Sequence, residues 1–475
     1  MTGRYSPAGR LSVEQILGAT AGDHIAGPAA GSWSLCTDTR ELGDGALFVA
    51  LVGENHDGHR FVPAALGGHA CGALVARSEL ASLELPQALS GPVIAVEDTL
   101  LAFGAIAGAF LAASGPKVAA ITGSVGKTTT RALLASILAR SGPGLQTEGN
   151  FNNRIGVPLT ILGMQSDDGW AVLEMGMSEP GELRLLAEIA RPKVRVITEV
   201  TAAHLEFFPS VAAIADAKGE LFEGAVAGDV LVIPADNPLS ARFPRPTGSC
   251  SVGFSMRPDA DAEVKLLHLE ELGLAGSRAR ILVHGRSIEF KLPLAGRHQV
   301  HNALAAAAAG HAMGASLEDI AAGLQDVQVP GRRMKVQKLA GITVLDDAYN
   351  ANPASVSAAM HTLASLPTSG RRIAALGDML ELGTTAAGLH AETGVEAATL
   401  GLDLLVSAGP LMEQAVQAAR AAGIAAEAAL DSRAAGELLV GYLRPGDVLL
   451  IKGSRGMKME AVLEPLAAVA AAEGT

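Results

Sequence analysis

The chain has 475 residues, 49% hydrophobic and 18% charged, with only 3% aromatic and a net charge of −13. That charge excludes nucleic acid as an expected partner, because phosphate backbones demand clustered Lys and Arg; small anions held by local donors remain compatible with it. The length predicts about three domains, each able to bury its own core.

The first stretch, MTGRYSPAGRLSVEQI, lacks the apolar core of a signal peptide. Cys36, Cys71 and Cys250 make neither a metal nor a disulfide pattern and suit a reducing compartment, so a cytoplasmic protein is expected. ALFVAL (46–51), GALVA (72–76) and GPVIAV (91–96) read as buried strands. Ahead of them Thr37, Asp38, Thr39 and Arg40 form a polar turn that Asp38 can cap, while also offering a carboxylate and a guanidinium. The apolar run 101–113 is shorter than the ~20 residues a membrane helix requires and reads as a buried Ala/Gly-rich helix. Ser114-Gly115-Pro116 is a natural linker, predicting a first domain over 1–113.

The central signal is KVAAITGSVGKTTTRALLASILAR (117–140). A short apolar strand turns at Gly123, Ser124, Val125 and Gly126, then restarts at Lys127 as a helix with Leu133, Leu134, Ile137 and Leu138 on one side. Gly-rich backbone can approach a polyphosphate closely, and the first helical turn aims unpaired N–H groups at it. Lys127 adds a mobile cation, the hydroxyl of Thr128 is a hard ligand for Mg²⁺, and Thr129 follows it. The spacing departs from the usual phosphate loop, with two residues between Gly123 and Gly126 in place of four.

TEGNFNNRIGVPLTIL (147–162) is a polar loop entering a helix; Asn150, Asn152 and Asn153 suit either turn chemistry or the positioning of an amide or carboxylate. WAVLEM (170–175) is a strand bringing Glu174 to its C-terminal end, where parallel sheets place ligands. After the strand VRVI (194–197) come His204, which alone reads equally as a surface histidine, and Lys218 on a helical stretch, ordinarily a solvated lysine. DVLVI (229–233) is another strand. Residues 259–293 look like a β-rich insertion, and PLAGRHQVHNALAAAAA (293–309) opens a helix carrying Asn302. A second boundary is expected near Pro330, giving domains over 114–329 and 330–475. Asp347 then ends the strand 343–346, ahead of a loop with Tyr349, Asn350 and Asn352, and strand-helix alternation continues at 373–376, 404–407 and 448–452. No G-x-G-x-x-G fingerprint accompanies it, so NAD is not expected.

The short loop T-G-S-x-G-K-T-T resembles the ATP loop of the Mur ligases, the enzymes that build the peptide stem of peptidoglycan. E-x-G at Glu174, A-H-L-E at His204, A-K-x-E-x-F at Lys218, R-H-x-x-x-N-A at Asn302, VPGRRM, LDDAYNANP, LGDMLELG (376–383) with His390, and IKGSRGMKME (451–460) follow in the family's order. The resemblance implies an α/β chain: a small N-terminal α/β domain holding the UDP part of the substrate, a central parallel-sheet ATPase domain and a C-terminal Rossmann-like domain. It implies ATP-dependent amide ligation of UDP-N-acetylmuramoyl-tripeptide to D-alanyl-D-alanine; separately, a monomer is expected, although the sequence does not fix the oligomeric state. It further implies ATP contacts from Gly123, Ser124, Gly126, Lys127, Thr128, Thr129, Asn302 (reading adenine), Arg332 and Asp347. Two Mg²⁺ would be held by Thr128, Glu174, His204 and Lys218, the lysine carbamoylated by CO₂. Lys127, His204 and Lys218 would be catalytic, His204 standing as a candidate base as well as a ligand. Asp38, Thr39, Arg40, Asn150, Asn152, Asn153, Tyr349, Asn350 and Asn352 would contact substrate. Val125 and Glu199 depart from the family's usual residues in the loop and before the histidine. A sister ligase is disfavoured by DDAYNANP and the TDTR domain, and a nucleotide switch by the absence of N-K-x-D.

Overall fold

The computed structural model describes residues 9–53, 56–67 and 72–473. Cys71 lies outside the described residues, as do residues 54–55 and 68–70. Among those described, three sheets follow one another along the chain. The first comprises β1 (Arg10–Ser12), β2 (Asp23–Ala26), β3 (Ser32–Cys36), β4 (Ala46–Val49), β5 (Gly72–Ala76) and β6 (Val93–Val96). They lie in the order β1-β3-β4-β5-β6-β2. Strands β3 to β6 run parallel while β1 and β2 close the edges antiparallel. The apolar runs without alternation are the strands buried on both faces, as parallel sheets require.

Helix Thr99–Ser114 joins this sheet to the next. Asp98 caps its start by accepting from Leu100 N (2.7 Å) and Leu101 N (2.9 Å), and Gly115, in the left-handed region, ends it. It is apolar nearly all round because both sides are covered. Phe103, Ile106 and Leu111 belong to one core cluster with Leu35 and Leu47 of the first sheet and Val118 and Leu173 of the second.

The second sheet comprises β7 (Lys117–Thr122), β8 (Leu145–Gln146), β9 (Trp170–Glu174), β10 (Val194–Ile197), β11 (Val230–Pro234), β12 (Cys250–Ser255), β13 (Val264–Glu271), β14 (Ser277–Val283) and β15 (Arg286–Leu292). Its order is β15-β14-β13-β12-β11-β10-β7-β9-β8. Residues 259–293 are therefore no separate insertion. β13 pairs parallel with β12, and β14 and β15 extend the same ladder antiparallel. Side chains alternate along β15, with Phe290 and Leu292 turned to the core. Helix Arg297–Met313 packs on this sheet through Ala303 to Ala309, all fully buried; the methyl side chains let helix and sheet approach closely.

The third sheet comprises β16 (Lys335–Leu339), β17 (Ile342–Asp347), β18 (Arg372–Gly377), β19 (Leu404–Ala408), β20 (Ala425–Ala429) and β21 (Val448–Lys452), in the order β16-β17-β21-β18-β19-β20. All pairs but β16–β17 are parallel. The carboxyl ends of its strands face those of the second sheet. Asn352, after β17, donates from Nδ2 to the carbonyl of Ser124, after β7 (3.2 Å). Two ligand edges thus share one cleft.

Candidate active site

The phosphate loop leaves β7 and enters helix Lys127–Leu138 with Gly123 at φ +152° and Gly126 at φ +86°. A Cβ on Gly123 would stand 2.0 Å from Thr198 Oγ1, and one on Gly126 2.2 Å from Asn302 Oδ1, so neither position admits a side chain. No side chain caps the helix start, which leaves its N–H groups open to an anion. Ser124 is buried and tied to the next strand's loop: its hydroxyl donates to Thr201 O and accepts from Thr201 N (both 3.1 Å), and its own N–H donates to Glu199 O (2.8 Å). Val125, the departure in this loop, takes part through its backbone, its carbonyl accepting from Thr198 Oγ1 (2.5 Å). Lys127 folds back so that Nζ donates to Gly123 O (2.6 Å). Desolvation pulls its pKa below the ordinary lysine value, with Glu174 opposing. Thr129 is buried in the first turn.

Glu174, at the carboxyl end of β9 and 3% exposed, is the polar centre of the site. Its Oε2 accepts from Thr128 Oγ1 (2.8 Å), its Oε1 from Asn152 Nδ2 (3.0 Å), and its backbone N–H donates to Thr147 Oγ1 (2.9 Å). Arg131, one helical turn beyond Lys127 and 1% exposed, brings Nε to 3.9 Å from the same carboxylate, while Nε and Nη1 find no hydrogen-bond partner among the described residues. Sequence reasoning missed Arg131; its signal was a lone cation on the buried stripe of the loop helix.

Lys218 lies in helix Val211–Glu223 and is 2% exposed. Burial, reinforced by the charge of Lys127, drives its pKa well below the ordinary lysine value. His204 stands elsewhere in its contacts: at φ +57°, its Nδ1 lies 2.6 Å from Glu381 Oε2 in the third domain. The departure Glu199 bonds Asn237 and lies 3.6 Å from His301 Nε2, bracing the segment between the loop and His204.

The oxygen donors fit a hard cation. Among the described residues no cluster of three or more His, Cys, Asp or Glu side chains forms a ready cage. The hydroxyl–carboxylate pair of Thr128 and Glu174 would instead share a Mg²⁺ with phosphate oxygens.

From the third sheet, Arg332 pairs with Asp346 (2.7 Å), whereas Asp347 accepts from Met334 N (3.0 Å) and from Lys452 Nζ (2.6 Å). Lys452 is 4% exposed and also donates to Asn350 O (2.9 Å). Tyr349 lies under the guanidinium of Arg333 at 3.7 Å. Asn352 caps helix Pro353–Ser365 while reaching Ser124. Asn302 turns Nδ2 to Gln299 Oε1 (3.1 Å), its oxygen lying against Gly126.

Other candidates have local work. Asp38 caps the short turn Thr39–Glu41 and pairs with exposed Arg40 at 2.5 Å, which holds its carboxyl down at about 2. Asn153 Oδ1 accepts from Ile155 N (3.1 Å) and Gly156 N (2.8 Å) at the entry to helix Gly156–Leu162, and Asn150 is exposed. Of the three asparagines, only Asn152 bonds to Glu174.

A family profile for the Mur ligase middle domain matches residues 121–310, and one for the Mur ligase glutamate ligase domain matches 332–455. The UDP-N-acetylmuramoyl-tripeptide–D-alanyl-D-alanine ligase of Escherichia coli is 37% identical, over 91% of this chain and 93% of its own. The crystal structure of MurF from Acinetobacter baumannii superposes with a TM-score of 0.87 at 30% identity, covering 98% of this chain and 100% of that one. MurF from Thermotoga maritima, solved with ADP, gives 0.80 at 25% identity, covering 92% and 98%. The chain belongs to the Mur ligase family.

Proposed function

We propose that this chain is an ATP-dependent amide ligase joining D-alanyl-D-alanine to UDP-N-acetylmuramoyl-tripeptide, in cytoplasmic peptidoglycan precursor synthesis. The observation that carries the reading is the meeting of the phosphate loop, Glu174 and the ligand edge of the third sheet in one cleft. The likeness to ligases of that name over nine-tenths of the chain supports it. The division at 1–113, 114–329 and 330–475 is part of the reading, each sheet falling within one span.

A carboxylate is a poor electrophile, so the tripeptide's terminal carboxylate attacks the γ-phosphorus of ATP, releasing ADP and giving an acyl phosphate. The amine of the dipeptide then adds to the acyl carbon, and the tetrahedral intermediate collapses with loss of phosphate. Lys127 swings from Gly123 O to the transferring phosphoryl group and balances its charge. Open N–H groups of the loop helix hold the neighbouring phosphate. Mg²⁺ supplies Lewis-acid charge at those oxygens when bound by Thr128 and Glu174, with His204 and Lys218 serving a second ion. Only where its Nε2 is not on the ion would His204 instead take the amine's proton. Asn352 brings the third domain against the loop, and the Asp347–Lys452 pair braces the segment that carries it, which keeps water from the acyl phosphate.

Lys218 joins this scheme as a carbamate. A buried amine held neutral can capture CO₂, and the product is an anionic oxygen ligand, which a lysine cannot be. Lys218→Arg should be as inactive as Lys218→Ala, with short carboxylates partly restoring only the alanine variant. Wild-type kcat from Lys218→Arg in CO₂-depleted buffer would remove the carbamate from the scheme.

A further inference from the structure

The segment after β18 carries Glu381 to His204 across the domain boundary. Both residues sit in the left-handed region, at φ +63° and +57°. For a residue with a Cβ that conformation costs about 1–2 kcal/mol, so each must be held there by its surroundings. They are. Asp378 Oδ1 accepts from Met412 N (2.7 Å), Leu380 N donates to Ser454 Oγ (2.9 Å), and buried His390 accepts from Met379 N (3.0 Å) while Nδ1 meets Ala386 O (2.6 Å). On the other side, Phe207 N and Phe208 N donate to His204 O (3.0 and 3.2 Å). A backbone bond from Glu206 N to Glu381 O (3.0 Å) runs beside the side-chain pair, so the contact is built from two rigid segments.

An ionised carboxylate only accepts, so the 2.6 Å contact places a proton on His204 Nδ1, and in the neutral ring the lone pair then sits on Nε2. No hydrogen bond engages Nε2 among the described residues. We propose that Glu381 is a positioning residue: from the third domain it fixes the tautomer and ring orientation of His204, so that Nε2 is presented to a divalent cation only when the domains are in this arrangement. The inference rests on reading His204 as a metal ligand. Carboxylate–histidine–metal relays work this way in general, the outer carboxylate setting which nitrogen is free. What is particular here is that ligand and orienting group belong to different domains, so cation binding and domain closure favour each other reciprocally.

Mn²⁺ titrations followed by electron paramagnetic resonance, with ADP present, test this on the full chain. The variants are Glu381→Ala, Glu381→Gln and His204→Ala, each checked for a wild-type circular dichroism spectrum and melt. Long-range ¹H–¹⁵N spectra of histidine-labelled protein, assigned by loss of the His204→Ala signal, report the tautomer directly. Glu381→Ala should weaken Mn²⁺ about 10–100-fold and remove His204 from the Nδ1–H form. Glu381→Gln, whose carbonyl still accepts from Nδ1–H, should recover most of both. Wild-type affinity and tautomer in Glu381→Ala, with affinity lost in His204→Ala, would overturn the inference and spare the reading of His204. Unchanged affinity in His204→Ala would overturn that reading, and the inference with it.

Discussion

At the scale of single residues the site is built from groups that burial has forced into particular partnerships. Lys127 is the mobile one, parked on Gly123 O. Lys127→Ala should keep the wild-type melt and lose about 10²–10³-fold in kcat, the usual loss when one transition-state donor is removed; a near-normal rate would take the loop out of the mechanism. Arg131 poses a stability question, because among the described residues two of its buried nitrogens find no hydrogen-bond partner beside Glu174. Glu174 keeps its bonds to Thr128 and Asn152 without it. Arg131→Met, which fills the space and removes the orphaned donors, should therefore unfold at higher denaturant than Arg131→Ala, which leaves a cavity as well. Equal midpoints would show that the charge itself, rather than the filled volume, holds this spot. His298 titrates in the opposite sense from a paired histidine. Burial pushes its pKa down to about 4, against the pull of Asp347. The unfolded chain takes up that proton near pH 6.5, so stability falls as pH drops from about 6.5 towards 4 and levels off below. With solvent still reaching part of the ring, the contribution is about 1–3 kcal/mol. His298→Asn should flatten the pH dependence of the melting temperature across that window, which calorimetry at several pH values would read.

At the scale of elements, the phosphate loop and the helices beside it depend on backbone that only certain residues permit. Gly126→Ala puts a Cβ into Asn302 at φ +86°. It should lower stability by more than 1 kcal/mol and abolish nucleotide binding in a fluorescent-nucleotide titration; tight binding by that variant would contradict the fitted loop. These elements were legible in the sequence where local pattern decides them. The strand-turn-helix at 117–138, the unalternating strands β5 and β10 and the Ala-rich helix all stand where their residues place them. Glu174 and Lys127 were legible too, because a strand end and a Gly-Lys-Thr turn are local signals. What stayed hidden was long-range. Residues 259–293 read as a β-rich insertion, and nothing local says that β13 pairs with β12 to extend the central sheet. Glu381 and Lys452 lie far along the chain from the groups they bond, 177 and 105 residues away, so no spacing rule connects them. Asn153 and Asp38 carry substrate-like chemistry yet bond local backbone, an ambiguity inherent in short polar side chains.

At the scale of the whole molecule, the cleft exists only because two sheets present their carboxyl ends to each other. Asp347 and its buried partner Lys452 stand on the third-domain side. Breaking that pair strands a buried charge at a cost of about 3–5 kcal/mol and loosens the loop that carries Asn352. Lys452→Met and Asp347→Ala should therefore behave alike, raising the KM for ATP and lowering kcat together; full activity in either would detach the third domain from the chemistry. The central claim is that the cleft couples ATP cleavage to amide formation between two specific substrates. Phosphate release measured with ATP, UDP-N-acetylmuramoyl-tripeptide and D-alanyl-D-alanine, alone and in every combination, tests it most directly. The account predicts sustained release only with all three present, in step with the pentapeptide product seen by mass spectrometry. Sustained release from ATP alone, or turnover without that product, would contradict it.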